Sequence, residues 1–183
     1  PWTEPEWDDL WTDLYTLPPD KQHYFGTIII QKTEQTESGG STEGYAYSTD
    51  KPINLLIDGQ KRLTSLALLL RSMTEQLEKL APETDHEEEI SDDVEEMRET
   101  LLLEDNIYQL QLLDEEDNKY LEWLLTGHDV HDPERPSQQK MIEAKKFFDE
   151  QLAELTASPD VNPLDVASQL KQLWETIKKL ELM

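Results

Sequence analysis

The sequence predicts an α+β fold, mainly helical, with a small β unit near residues 20–60 followed by a helical assembly. Three observations carry this. Apolar residues recur at three- and four-residue intervals in several long stretches, which is the helical period. Two short runs, 24–30 and 54–57, are instead β-branched, aromatic or continuously apolar, as strands are. Pro and Gly punctuate the boundaries between them.

Residues 5–15 read as a helix, because Trp7, Leu10, Trp11 and Leu14 share one face with acids between them, and Pro18-Pro19 ends it. The period then changes: Tyr24-Phe25-Gly26-Thr27-Ile28-Ile29-Ile30 predicts a buried strand. Residues 36–44, rich in Gly, Ser, Thr and Glu, predict a loop, with a second, shorter strand at Tyr45-Ala46-Tyr47. A third strand, Asn54-Leu55-Leu56-Ile57, runs straight into Asp58-Gly59. A strong helix follows, with Leu63, Leu66, Ala67, Leu70, Met73, Leu77 and Leu80 on one face and Pro82 as its stop.

The acidic stretch 85–99 is expected to be helical in part, with a mobile front end. Residues 107–112 alternate and predict a strand or a short extended link. Asp114 reads as an N-cap, Tyr120, Leu121, Leu124 and Leu125 as a core stripe, and Gly127 as the close of that helix. A loop at 128–136 leads to a helix capped by Ser137, with Met141, Ala144, Phe148, Leu152 and Leu155 facing inward. Asn162-Pro163 starts the last helix, whose core face is Val166, Leu170, Leu173, Trp174, Ile177 and Leu180.

Composition narrows the function. The 183 residues hold no cysteine, which excludes disulfides, zinc ribbons and thiol catalysis and fits a reducing cytoplasm. No apolar run is long enough to span a bilayer. The opening Pro1-Trp2-Thr3-Glu4 has neither a Met nor the basic and apolar parts of a signal peptide, and the sequence stops at Met183 just after a helix with no closing element, so a sequence trimmed at both ends and a cytoplasmic location are expected. Asp plus Glu total 41 against 16 Lys plus Arg, a formal net charge of −25. Such a chain repels bare nucleic acid at long range. The acids could form a solvated surface suited to a salty cytoplasm, an acidic interaction face or nucleic-acid mimic, or a disordered insert. Their spread along the chain favours the first.

Chemistry concentrates at the turn after the third strand. Asp58 and Gly59 make a tight turn, and Gln60, Lys61 and Arg62 occupy the first turn of a helix. A helix start offers free N–H groups and a partial positive charge, so two cations there make an anion site in an otherwise acidic chain. Asp58 adds a carboxylate suited to magnesium. The same residues also suit a plain helix start, with Asp58 as a cap, Gly59 as a turn residue and Lys61 and Arg62 as solvated charges.

Ile57-Asp58-Gly59-Gln60-Lys61-Arg62-Leu63-Thr64 resembles the IDGQQRLT signature of the GmrSD-type restriction endonuclease N-terminal domain. His23-Tyr24-Phe25-Gly26-Thr27-Ile28-Ile29 resembles the family's H-F-L-G-S-I-V strand. Trp2, Trp7, Leu10 and Leu14 resemble the helix that follows its opening Y-Q-R-x-Y-x-W motif. Leu112, Leu113, Asp117 and Tyr120 to Gly127 resemble a later segment, and the helix from Ser137 resembles the next one. Lys61 stands where the family has a second Gln. The chain begins after the place of the family's Tyr-Gln-Arg motif and ends before its F-E-x-x-N-x-x-G segment.

The resemblance implies a ParB/sulfiredoxin-like unit at 1–80 carrying the DGQKR motif and an acidic helical region at 81–183, together one continuous domain. It implies binding, and often hydrolysis, of a nucleoside triphosphate (GTP, ATP or CTP) with Mg2+. It further implies a role in recognising or cutting modified DNA, with DNA engaged through the whole protein and the nuclease on a separate domain or subunit. The site residues it implies are Asp58 as catalytic residue and metal ligand, with Gly59, Gln60, Lys61, Arg62, Thr64 and Gly26 holding the nucleotide. A non-catalytic DNA- or nucleotide-sensing adaptor and an acidic interaction module are the alternatives. Two other features carry less. His128, Asp129, His131 and Asp132 have ligand-type side chains, but without a third strong ligand they read as a polar loop. The tryptophans lack a basic groove beside them and read as core.

Overall fold

The computed structural model describes residues 3–18, 21, 24–32, 54–101, 110–127, 131–158 and 160–180. It is α+β and mainly helical, as expected. The elements are α1 (Glu4–Thr16), β1 (Ile29–Lys32), β2 (Asn54–Asp58), α2 (Gln60–Leu80), α3 (Glu87–Leu101), α4 (Glu115–Thr126), α5 (Pro136–Leu155) and α6 (Pro163–Lys178).

The architecture is organised around α2. Residues 67–70, Ala67-Leu68-Leu69-Leu70, are all buried, so this helix is covered on more than one side. It packs against α3, α4, α5 and α6, while α1 lies on α5 and α6. Sequence periodicity placed Leu63 and Leu66 on the core face and omitted Leu68 and Leu69. The structure leaves the first two partly buried and seals the second two completely. A helix with partners on opposite sides has no single apolar face to read. Around it, Leu14, Tyr120, Leu121, Phe148, Leu152, Leu170 and Trp174 are almost fully buried and close one continuous core.

Most helix ends are where local chemistry puts them. Glu6 accepts hydrogen bonds from the Thr3 backbone N–H and hydroxyl, both at 2.7 Å, which fixes the start of α1 and lowers the Glu6 pKa. Asp114 caps α4 by accepting from Glu116 N and Asp117 N, and Gly127 ends that helix in the left-handed conformation. Asn162 caps α6 by accepting from Leu164 N. One start differs. The N-cap of α5 is Arg135, with Pro136 as first helical residue, so the expected cap Ser137 lies inside the helix. Pro lacks the N–H that a first-turn residue would leave unpaired, and so it wins that position. The stretch expected to be only partly helical is the regular helix α3 from Glu87 onward.

Among the described residues the β unit is a two-stranded ribbon. Strands β1 and β2 pair antiparallel, with a register irregularity between Ile29 and Ile30. The expected buried strand at 24–30 is mostly a non-strand lead-in. Phe25 is buried, while Tyr24, Ile29 and Ile30 are about half exposed. Trp2, His23, the loop at 36–44, the expected strand at 45–47 and residues 107–109 of the 107–112 stretch lie outside the described residues, as do His128 and Asp129. Among the described residues no helix is long and apolar enough to cross a membrane.

Candidate functional site

Strand β2 delivers the chain to Asp58, and Gly59 turns it into α2. Gly59 is the N-cap, at φ 102°, and a Cβ there would sit 2.9 Å from Ile28 Cγ1. Glycine is required on both counts. No side chain caps this helix. The first intrahelical bond runs from Leu63 N to Gly59 O at 3.0 Å, so the amides of Gln60, Lys61 and Arg62 precede the ladder.

Apart from Gly59 at the turn itself, the expected site residues separate into two groups at this helix start. Gly26, Asp58 and Arg62 form the first. Arg62 Nη1 donates to Phe25 O at 3.2 Å and Nη2 to Thr27 O at 2.6 Å, with Asp58 Oδ2 at 3.4 Å. The guanidinium lies directly across Gly26, whose φ is +94°; a Cβ at that residue would fall 1.9 Å from Arg62 Nη1. Asp58 Oδ1 accepts from Gly59 N at 2.8 Å, and its side chain stays 63% exposed. Arg62 thus ties the strand lead-in to α2.

Gln60, Lys61 and Thr64 form the second group, and they line a groove of about 460 Å³. Its other walls are Trp7 from α1, Ser65 and Leu68 from α2, Leu112 before α4, Asp117 from α4, and Pro136, Ser137, Lys140, Met141 and Ala144 from α5. The volume lies within the ~300–1,000 Å³ of small-molecule sites, and an apolar floor with a few polar groups is their usual make-up. Leu112 is held there because its N–H donates to the buried Asn118 Oδ1 at 2.8 Å. The start of α5 is held by buried Gln138, whose Oε1 accepts from Glu134 N at 2.9 Å.

Two helix starts therefore border one groove. Like α2, α5 has no side-chain cap bond, and its first bond is Gln139 N to Arg135 O at 3.0 Å. The adjacent end charge is Arg135, which pairs with Asp114 and lowers that carboxyl's pKa. Lys61 has no ion-pair partner among the described residues, whereas Lys140 pairs with Glu143. Sequence reading missed Trp7, Asp117, Ser137 and Lys140 as groove residues, since each is separated from Lys61 by tens of residues and only packing brings them together. No curated protein and no solved structure matches the chain. Residues 1–182 match the family model described as GmrSD restriction endonuclease, N-terminal domain.

Proposed function

The chain belongs to the GmrSD restriction endonuclease N-terminal domain family, and from that membership we propose that it binds a nucleoside triphosphate in the groove at the start of α2. The observation that carries this reading is the pair of helix starts without side-chain caps on one groove, with Lys61 beside them. Free amides and aligned peptide dipoles attract phosphate, and a lysine adds full charge. In a chain of net charge −25 such a place is an exception on the surface.

Gly59 lets the helix start approach the phosphates, and the Gln60 and Thr64 side chains supply hydrogen bonds. Arg62 adds charge at the hairpin side and holds the Gly26 segment in place. Mg2+ would take Asp58, whose exposed carboxylate fits an ion that keeps several waters and shares phosphate oxygens. Hydrolysis, engagement of modified DNA and a nuclease partner belong to this reading at the level of the whole protein. A second reading, nucleotide binding without turnover, is favoured by the Asp58 bonds to Gly59 N and Arg62, which commit that carboxylate in part to structure.

Calorimetry with GTP, ATP and CTP, with and without Mg2+, in high salt, tests the reading. The expected result is Mg2+-dependent binding, weakened about tenfold or more by Lys61→Ala, the size of one lost charge-assisted contact. Absence of binding, or equal affinity in the variant, contradicts it.

A further inference from the structure

One charged cluster lies outside the groove, inside the helical assembly. Lys145 of α5 is 8% exposed, and its ammonium donates to Glu75 Oε2 of α2 at 2.7 Å and to Asp149 Oδ1 and Oδ2 at 2.7 and 2.9 Å. Glu75 Oε1 in turn stands 2.9 Å from Arg71 Nε. The Arg71 guanidinium lies against Gly127 at the end of α4, where a Cβ would fall 2.6 Å from Nη2. Two cations and two carboxylates thus join α2, α4 and α5, three of the helices whose N-terminal halves wall the groove. Burying charge forfeits hydration, and apolar side chains of similar size often stabilise as well or better, so stability alone does not account for the cluster. Alignment does. Helices α2 and α5 leave the groove in the same direction: Lys61, Thr64 and Leu68 share it with Lys140, Met141 and Ala144, and further along Gln76 reaches Thr156 at 3.5 Å. Neighbours in this sense bring the like ends of their dipoles together. Apolar contact between them is non-directional and does not oppose sliding, whereas hydrogen-bonded ion pairs hold at one offset only.

We propose that Arg71, Glu75, Lys145 and Asp149 act as a register pin, which fixes how far along α2 the helix α5 sits and contributes alignment instead of net stability. Glu75 and Lys145 are then positioning residues. They line no part of the groove, and they set how the two helix starts face it. The alignment holds whatever the groove binds; its consequence for a nucleotide rests on the reading above.

The test replaces the buried charges by apolar groups of like size, Arg71→Met/Glu75→Leu/Lys145→Met, and leaves the half-exposed Asp149 in water. The chain has no cysteine, so spin labels on Lys79→Cys in α2 and Lys146→Cys in α5, both exposed, report one distance. The charged protein should give a single narrow distribution. The apolar variant should unfold at the same or a higher urea concentration, yet its distribution should broaden or shift by several ångström, up to ~5.4 Å for a slip of one helical turn. Lys145→Arg, which keeps the charge, should stay narrow. A narrow, unshifted distribution in the folded apolar variant overturns the pin. So does an apolar variant that no longer folds, because the cluster would then supply stability. GTP titration with Mg2+ on the same proteins should weaken severalfold with the misalignment. No binding to the charged protein overturns the nucleotide reading alone and leaves the distances to decide the pin.

Discussion

Replacing Gly26 by alanine perturbs two things at once. At φ +94° an L side chain is strained, and the new Cβ falls where Arg62 Nη1 now lies. The guanidinium is the far end of a flexible side chain, so it will move, and moving forfeits its bonds to Phe25 O and Thr27 O. The backbone strain costs about 1–2 kcal/mol. Hydrogen bonds from a charged donor are worth ~1.5–3 kcal/mol each, but these are partly exposed, so about 2 kcal/mol for the pair is reasonable. Gly26→Ala should then cost about 3 kcal/mol, a large share of the ~5–15 kcal/mol that holds a domain together. Arg62→Ala alone should cost about 2 kcal/mol. The double variant should also cost about 3 kcal/mol instead of the additive 5, since the Arg62 contacts can be lost only once. Urea unfolding of the four proteins, with equal denaturant slopes, measures this. Strict additivity would refute the idea that Gly26 exists to seat Arg62.

Two further outcomes follow from charge. The Arg135 guanidinium, with the Asp117 and Glu116 amides, lowers the Asp114 pKa. A lowered carboxyl pKa contributes stability that is present above the unfolded value and lost as pH falls through the folded value. Asp114→Asn keeps the capping oxygen but removes the ion pair. The stability gap between wild type and variant should therefore be open at neutral pH and close in acid; denaturation across the pH range reads it, and a pH-independent gap would refute the cause. At −25 net charge the folded chain repels itself. Raising KCl from about 0.1 to 1 M shortens the screening length from ~10 to ~3 Å, so the melting temperature should rise. A flat response would show that ion pairs such as Lys171 with Glu89 and Asp93 already balance the field.

Local chemistry was legible where it acts locally. Asp114, Gly127 and Asn162 mark helix ends through bonds within four residues, and their sequence context is sufficient. The stripes of α1 and α4, and that of α6 as far as Ile177, read correctly because each helix has one buried side, while Leu180 lies past the end of α6 and is only partly buried. Where structure depends on distant partners the sequence ran short. Leu68 and Leu69 are core because α2 is enclosed, and Ile29 and Ile30 are exposed where, among the described residues, β1 pairs with β2 alone. The motif at 58–64 located the helix start, yet it could not show that Arg62 turns toward Phe25 and Thr27 while Lys61 turns toward α5. Adjacent helical residues point about 100° apart, so one motif serves two faces.

In the proposed function, the helix starts of α2 and α5 share one nucleotide. Amide hydrogen exchange with and without Mg2+ and nucleotide tests it most directly. Added protection is expected at residues 60–64 together with 137–140. Protection confined to the Gly26 side, or none at either helix start, would contradict it.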